Sequence, residues 1–140
     1  IKCIAYGYNQ IHHQNVCFLT FPKDSGPGCG MILDNQLIDG NNGIAGEIAY
    51  LPLFDFLKKR EFDNSLENII QVVATTIVMY NPHLLILTGE NIKEDDLDAI
   101  QKGCLNYVPN HFMPSLKYQE NCEDYYFQGL ESQIIQRIQF

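Results

Sequence analysis

Positive charge is scarce in this chain: nine Lys and Arg stand against 17 Asp and Glu in 140 residues, a net charge of −8. Gripping DNA or RNA through its phosphates requires a stripe of Lys and Arg, so these residues exclude that class of partner for the chain itself. The one basic cluster, Lys58, Lys59 and Arg60, reads as a solvated helix end or turn. Long apolar runs are also lacking. None approaches the ~20 residues that cross a bilayer, and no signal peptide is visible. The five cysteines (Cys3, Cys17, Cys29, Cys104 and Cys122) are odd in number and widely spaced, which argues against a disulfide framework. Reduced thiols in a cytoplasmic protein follow. There is no internal repeat, no low-complexity tract and no dividing linker, so residues 1–140 read as a single domain with a sizeable core.

Metal ligands at useful spacing are lacking as well. His12 and His13 are adjacent rather than spaced along one face, and His83 and His111 have no Cys neighbours. Four tetrahedral ligands cannot be assembled from this pattern, and no zinc is expected. No general base with a partner stands out, so no catalytic residue is assigned.

What is present is an α/β pattern. Ile1 to Tyr8 reads as the end of a helix, and Val16 to Phe21 as a strand. Gly30 to Leu33 and Gln36 to Ile38 flank Asp34-Asn35 as a tight hairpin. Asn64 and Glu67 suit a capping box ahead of a helix with Leu66, Ile69, Ile70, Val73, Ile77 and Val78 on its inner face. Pro82 ends that helix. Leu84 to Leu87 is a continuous apolar strand, as expected when both faces are covered. Glu94, Asp95 and Asp96 open a helix with Leu97, Ile100, Cys104 and Leu105 inside. Leu116 to Gln119 forms a short strand. A last helix starts at Asp124, with Phe127, Leu130, Ile134 and Ile138 on one side. Hairpin strands followed by alternating helices and strands indicate an α/β fold with a mixed sheet.

The segment richest in chemistry is Asp39-Gly40-Asn41-Asn42-Gly43-Ile44-Ala45-Gly46-Glu47-Ile48. Glycines let backbone approach a ligand closely. Amides and a carboxylate supply donors and acceptors for a hydroxyl-rich, uncharged molecule. With no Lys or Arg among them, these residues suit a sugar better than a phosphate. A surface loop that merely turns is the plainer alternative.

This segment resembles the Gly-Ala-Asn-Gly-Ala-Ala-Gly-Glu motif of the ROK family, the repressors and sugar kinases of the actin/hexokinase-like (ribonuclease H-like) superfamily. The resemblance assigns sugar contacts to Asn42 and Glu47, with Gly43 and Gly46 permitting the backbone shape. Asp24-Ser25-Gly26-Pro27-Gly28-Cys29-Gly30 is similar, in register, to the family's phosphate loop, Gly-Thr-Gly-x-Gly-x-Gly. There Ser25, Gly26, Gly28 and Gly30 keep the pattern, whereas Asp24 replaces the first glycine and would repel a γ-phosphate. Pro27 removes one N–H donor. Asn81-Pro82-His83-Leu84-Leu85-Ile86-Leu87-Thr88-Gly89-Glu90 resembles the family's adenosine-side element, with Thr88 and Glu90 standing where glycines are usual.

Members of that family are two-lobed, and the resemblance covers the C-terminal lobe only. An N-terminal lobe and any DNA-binding domain are then expected outside the chain, as the start at Ile1 also suggests. The family's catalytic Asp, within an Asn-Asp-Ala-Asn segment, would fall just before Ile1, and the last Asn of that segment is Lys2 here. The family's structural-zinc His position falls at Tyr50, and no Cys lies between Leu51 and Leu66.

The implied function is the sugar-sensing and dimerising lobe of a ROK-type transcriptional regulator. Its effector would be a monosaccharide or amino sugar, it would need no cofactor, and DNA would be met only through the other domain. The alternative is the C-terminal lobe of an ATP- and Mg²⁺-dependent sugar kinase acting on a hexose.

Overall fold

A computed structural model describes residues 1–54 and 63–138. The Lys58–Arg60 cluster lies outside these residues. The described elements are α1 (Lys2–His12), β1 (Val16–Thr20), β2 (Gly28–Leu33), β3 (Gln36–Leu37), α2 (Leu66–Tyr80), β4 (Leu84–Thr88), α3 (Leu97–Cys104), β5 (Ser115–Tyr118) and α4 (Glu123–Ile138). Single 3₁₀ turns at Ile48–Tyr50, Glu94–Asp96 and Asn110–Phe112 join them.

The five strands form one mixed sheet in the order β3-β2-β1-β4-β5. β1 pairs antiparallel with β2 and parallel with β4, and β4 pairs parallel with β5. Helices cover both faces, which is why the central strands are apolar without interruption. Side chains alternate by the two-residue period of a strand. Cys17, Leu19, Leu85 and Leu87 point into one core with Ile69, Val73 and Ile77 of α2 and Ile100 of α3. Val16, Phe18, Leu84 and Ile86 point the other way, against Ala5 and Tyr8 of α1 and Tyr125 of α4. The hairpin turn lies at Asp34-Asn35, with φ of 50° and 61°. Two successive left-handed residues are what a two-residue hairpin of matching twist requires.

The cap of α2 differs from the sequence expectation. Ser65, not Asn64, is the N-cap: its hydroxyl accepts from the N–H of Asn68 at 3.3 Å. Asn68 in turn donates its side-chain amide to the carbonyl of Asp63 at 2.8 Å. Two polar side chains thereby replace the Asn64–Glu67 box. Removing the hydroxyl by Ser65→Ala should lower stability by about 1 kcal/mol, read as a lower denaturation midpoint with an unchanged slope.

Several expected inner positions face solvent. Val78 on α2 is 68% exposed, and Phe127, Ile134 and Ile138 on α4 are 57%, 55% and 76% exposed. Leu66 and Leu105 are exposed too. For α4 the reason is a different contact face. Gly129 is buried against α1, and a Cβ there would overlap the carbonyl oxygen of Cys3. A Cβ at Gly7 would likewise overlap the carbonyl oxygen of Tyr125. The two helices touch backbone to backbone through paired glycines, and Tyr125 packs edge-on to Tyr8 with centroids 5.2 Å apart. The face bearing the larger apolar residues is rotated outward.

Candidate functional site

The parallel pairing of β1 and β4 brings Thr20 opposite Thr88, and the antiparallel pairing of β1 and β2 brings Thr20 opposite Gly28. The connection after β1, the start of β2 and the segment after β4 therefore leave the sheet at one edge, beyond the carboxyl ends of two parallel strands. Open α/β sheets build ligand sites there. All three segments singled out in the sequence meet at this edge.

The segment after β4 is tied to the connection after β1. Phe21 donates its N–H to the carbonyl of Thr88 at 2.9 Å, and Asn91 donates its N–H to the carbonyl of Phe21 at 3.0 Å. The Asn91 side chain donates to the carbonyl of Pro22 at 2.8 Å. Gly89 has φ of +110°, and a Cβ there would lie 2.6 Å from backbone atoms of Phe21. Only glycine lets the two segments lie this close. Glu90 then reaches across, its carboxylate accepting from the N–H of Lys23 at 2.7 Å. Thr88 is buried, and its hydroxyl accepts from the Cys122 thiol at 3.6 Å.

Within the glycine-rich segment, Asp24, Ser25 and Gly26 lie in the connection, with Asp24 and Ser25 exposed. Gly28 and Gly30 lie in β2 itself. There they do packing work: a Cβ on Gly30 would come to 2.9 Å from the carbonyl oxygen of Ile1 and 3.0 Å from Cα of Lys2. The N-terminal turn of α1 rests on bare β2 backbone.

The segment from Asp39 to Ile48 folds back over the beginning of β2. The carbonyl of Gly46 accepts from the N–H of Cys29 at 2.9 Å, and the N–H of Ala45 donates to the carbonyl of Asp39 at 3.3 Å. Gly40, Gly43 and Gly46 all have positive φ. Lys2 secures the loop from below, donating to Asp39 Oδ1 at 2.7 Å and to the carbonyl of Gly43 at 2.6 Å. Asn42 and Glu47 are both exposed, five positions apart in the same docked loop. The structure thus places Asn42, Gly43 and Glu47 on one loop docked on the start of β2, while Thr88 and Glu90 bond the connection that holds Asp24, Ser25 and Gly26.

Beneath the loop, Cys17 and Cys29 are buried with their sulfurs 3.5 Å apart. The hydrogen bond shared with Cys29, together with burial, pushes the Cys17 thiol well above its ordinary value. Burial alone pushes the Cys104 thiol up to about 11. A thiol held protonated is a poor nucleophile. Among the described residues, no three His, Cys, Asp or Glu side chains gather as metal ligands. Among the same residues, no helix is long and apolar enough to cross a membrane.

No protein-family model matches the sequence, and no curated protein matches it. Solved structures do. A ROK hexokinase from Thermus thermophilus superposes with a TM-score of 0.69 at 14% identity, covering 95% of this chain and 64% of its own. A ROK family protein from Streptococcus pneumoniae TIGR4, solved in complex with sucrose, gives 0.68 at 14% identity over 99% of this chain and 65% of its own. A ROK family transcriptional regulator, a homolog of the E. coli MLC protein, gives 0.60 at 13% identity over 94% and 50%. The fold is that of a ROK C-terminal lobe. The chain spans less than two thirds of the length of the first two of these proteins and half of the third.

Two features of this ROK-like lobe escaped the sequence reading. Lys2 reads as a lost Asn until its two acceptors are seen. The Glu90 carboxylate reads as a lost glycine until Lys23 is found under it. The glycine pair at Gly7 and Gly129 had a usable signal, since isolated glycines within helical patterns need a packing reason.

Proposed function

We propose that this chain is the sugar-sensing lobe of a ROK-type transcriptional regulator, binding a monosaccharide or amino sugar through Asn42 and Glu47 without nucleotide or metal. The observation that carries this proposal is the bond from the Lys23 N–H to Glu90. A phosphate cradle works by turning unpaired backbone N–H groups toward the anion. Here one N–H of that connection is already taken by a carboxylate, and Asp24, the next residue, adds a second negative charge. A triphosphate using that N–H would have to displace Glu90, and it would meet the carboxylates of Glu90 and Asp24 with Lys23 as the neighbouring cation. Hydroxyls of a neutral sugar meet no such barrier at Glu47, where a carboxylate accepts two of them at once. Self-association is part of the same proposal, supported by the exposed apolar side chains of Phe127, Ile134 and Ile138.

Titration calorimetry of the full-length protein with glucose and N-acetylglucosamine should give binding to at least one of them in the absence of ATP. Glu47→Ala should weaken that binding by about 1.5–3 kcal/mol, the worth of one hydrogen bond to a charged group. The likeness to the Thermus thermophilus hexokinase favours a second function, sugar phosphorylation. Formation of a sugar phosphate from ATP and Mg²⁺ by the full-length protein would establish that function and overturn the first.

A further inference from the structure

We infer that Lys2 is a positioning residue for the sugar loop, pinning the backbone on both sides of Asn42 so that its side chain is held ready for ligand. This rests on the sugar-site proposal above and names the group that keeps the site in shape. Asn42 lies between the two acceptors of the Lys2 ammonium, the carboxylate of Asp39 and the carbonyl of Gly43. The loop needs such a clamp. Gly40 and Gly43 have φ of +79° and +82°, and a Cβ on Gly43 would meet nothing within 4 Å. Glycine-rich backbone is costly to order, and Gly43 has no packing neighbour to help. Within the loop itself, the long bond from Ala45 N–H to Asp39 is a weak closure.

The clamp is mounted on a rigid base. The missing Cβ of Gly30 lets the first turn of α1 rest on β2, which fixes the Lys2 backbone. Its side chain is 20% exposed, whereas that of Asp39 is 57% exposed. Both bonds from Lys2 are charge-assisted and shorter than an ordinary N–H···O bond. Pairing with Asp39 also neutralises the ammonium, so the loop offers a sugar no net positive charge. A neutral or amino sugar is the class this suits, rather than a sugar acid.

The test uses the full-length protein with Lys2→Met, Lys2→Arg, Asp39→Asn and the Lys2→Met/Asp39→Asn double variant, with Glu47→Ala as a control on the site. Amide hydrogen exchange in the ligand-free protein should speed up about tenfold across residues 40–46 in Lys2→Met, with exchange in β1 and β4 unchanged. Affinity for whichever of glucose or N-acetylglucosamine binds should fall about tenfold to a hundredfold, as for the loss of one charge-assisted bond. Lys2→Arg should recover part of both effects. The double variant should be no worse than Lys2→Met, because the two residues act as one unit. Unchanged exchange across 40–46 in Lys2→Met overturns the clamp, whatever binds. Unchanged affinity in Lys2→Met alongside weakened affinity in Glu47→Ala overturns its positioning role and leaves the site standing. Unchanged affinity in Glu47→Ala sinks the site proposal itself, while the exchange measurement still decides whether Lys2 holds the loop.

Discussion

Gly129→Ala should cost this protein about 3 kcal/mol or more, because one methyl group would have to enter a contact between two helix backbones. An added Cβ at Gly129 overlaps the carbonyl oxygen of Cys3 and lies 2.9 Å from its sulfur. A thiol on a flexible side chain can swing away, but a helix carbonyl cannot. The axes of α1 and α4 must then separate, which also pulls Tyr125 from its edge contacts with Tyr8 and Phe18 at 5.2 and 6.2 Å. Gly7→Ala meets the same obstacle from the other helix, against Tyr125 and 2.8 Å from the backbone N of Gly129. In a thermal melt each variant should fall about 10 °C or more below the wild type. In an exposed helix the same substitution would stabilise by up to ~1 kcal/mol. The sign of the effect alone therefore decides whether the glycine contact exists. The double variant should cost less than the sum of the two singles, since the helices need to part only once.

This contact also marks where sequence pattern stopped being informative. β1, the Asp34-Asn35 hairpin, β4 and the inner residues Ile69, Val73, Ile77 and Ile100 were legible because burial imposes a period on them. Strands covered on both faces show apolar runs, and the inner stripe of α2 shows its 3.6-residue repeat. The apolar residues of α4 also show a helical period, but the helix turns that side to solvent. Backbone proximity at Gly129 outweighs side-chain area in choosing the face, and periodicity carries no term for it. The N-cap of α2 was misplaced by one residue for a related reason. Asp63, Asn64 and Ser65 can all cap, and the choice is made by Asn68 reaching back to the carbonyl of Asp63. At the site, the family resemblance singled out the three segments, and each carries glycines that tertiary contact requires. The polar partners that tune them were illegible. Lys2 to Asp39 spans 37 positions and Lys23 to Glu90 spans 67. No local pattern links residues so far apart.

Gly46→Ala and Gly43→Ala should separate sharply, although both glycines share a left-handed backbone in the same loop. Their φ values are +88° and +82°. An L-residue held there costs roughly 1–2 kcal/mol, and that is all Gly43→Ala should lose, because a Cβ at 43 points into open space. At 46 a Cβ would overlap the carbonyl oxygen of Cys29, with the Cβ of Cys29 at 3.6 Å. That carbonyl belongs to β2, and it cannot withdraw without turning a peptide plane whose other end is Gly30, the partner of Phe18 in β1. The loop must give way instead, losing the Cys29 N–H to Gly46 bond and carrying Glu47 away from the sheet edge. Adding about 1–3 kcal/mol of overpacking to the backbone strain gives about 2–5 kcal/mol for Gly46→Ala. Much of it should appear as loop release rather than global unfolding, because the central strands do not depend on the loop for their burial. Hydrogen exchange should show the Cys29 amide freed in Gly46→Ala and protected in Gly43→Ala. Sugar affinity in calorimetry should disappear in the first variant and fall only severalfold in the second. Equal affinity in the two variants would detach the docking of this loop on β2 from ligand binding. The sugar contacts would then have to be sought away from Glu47.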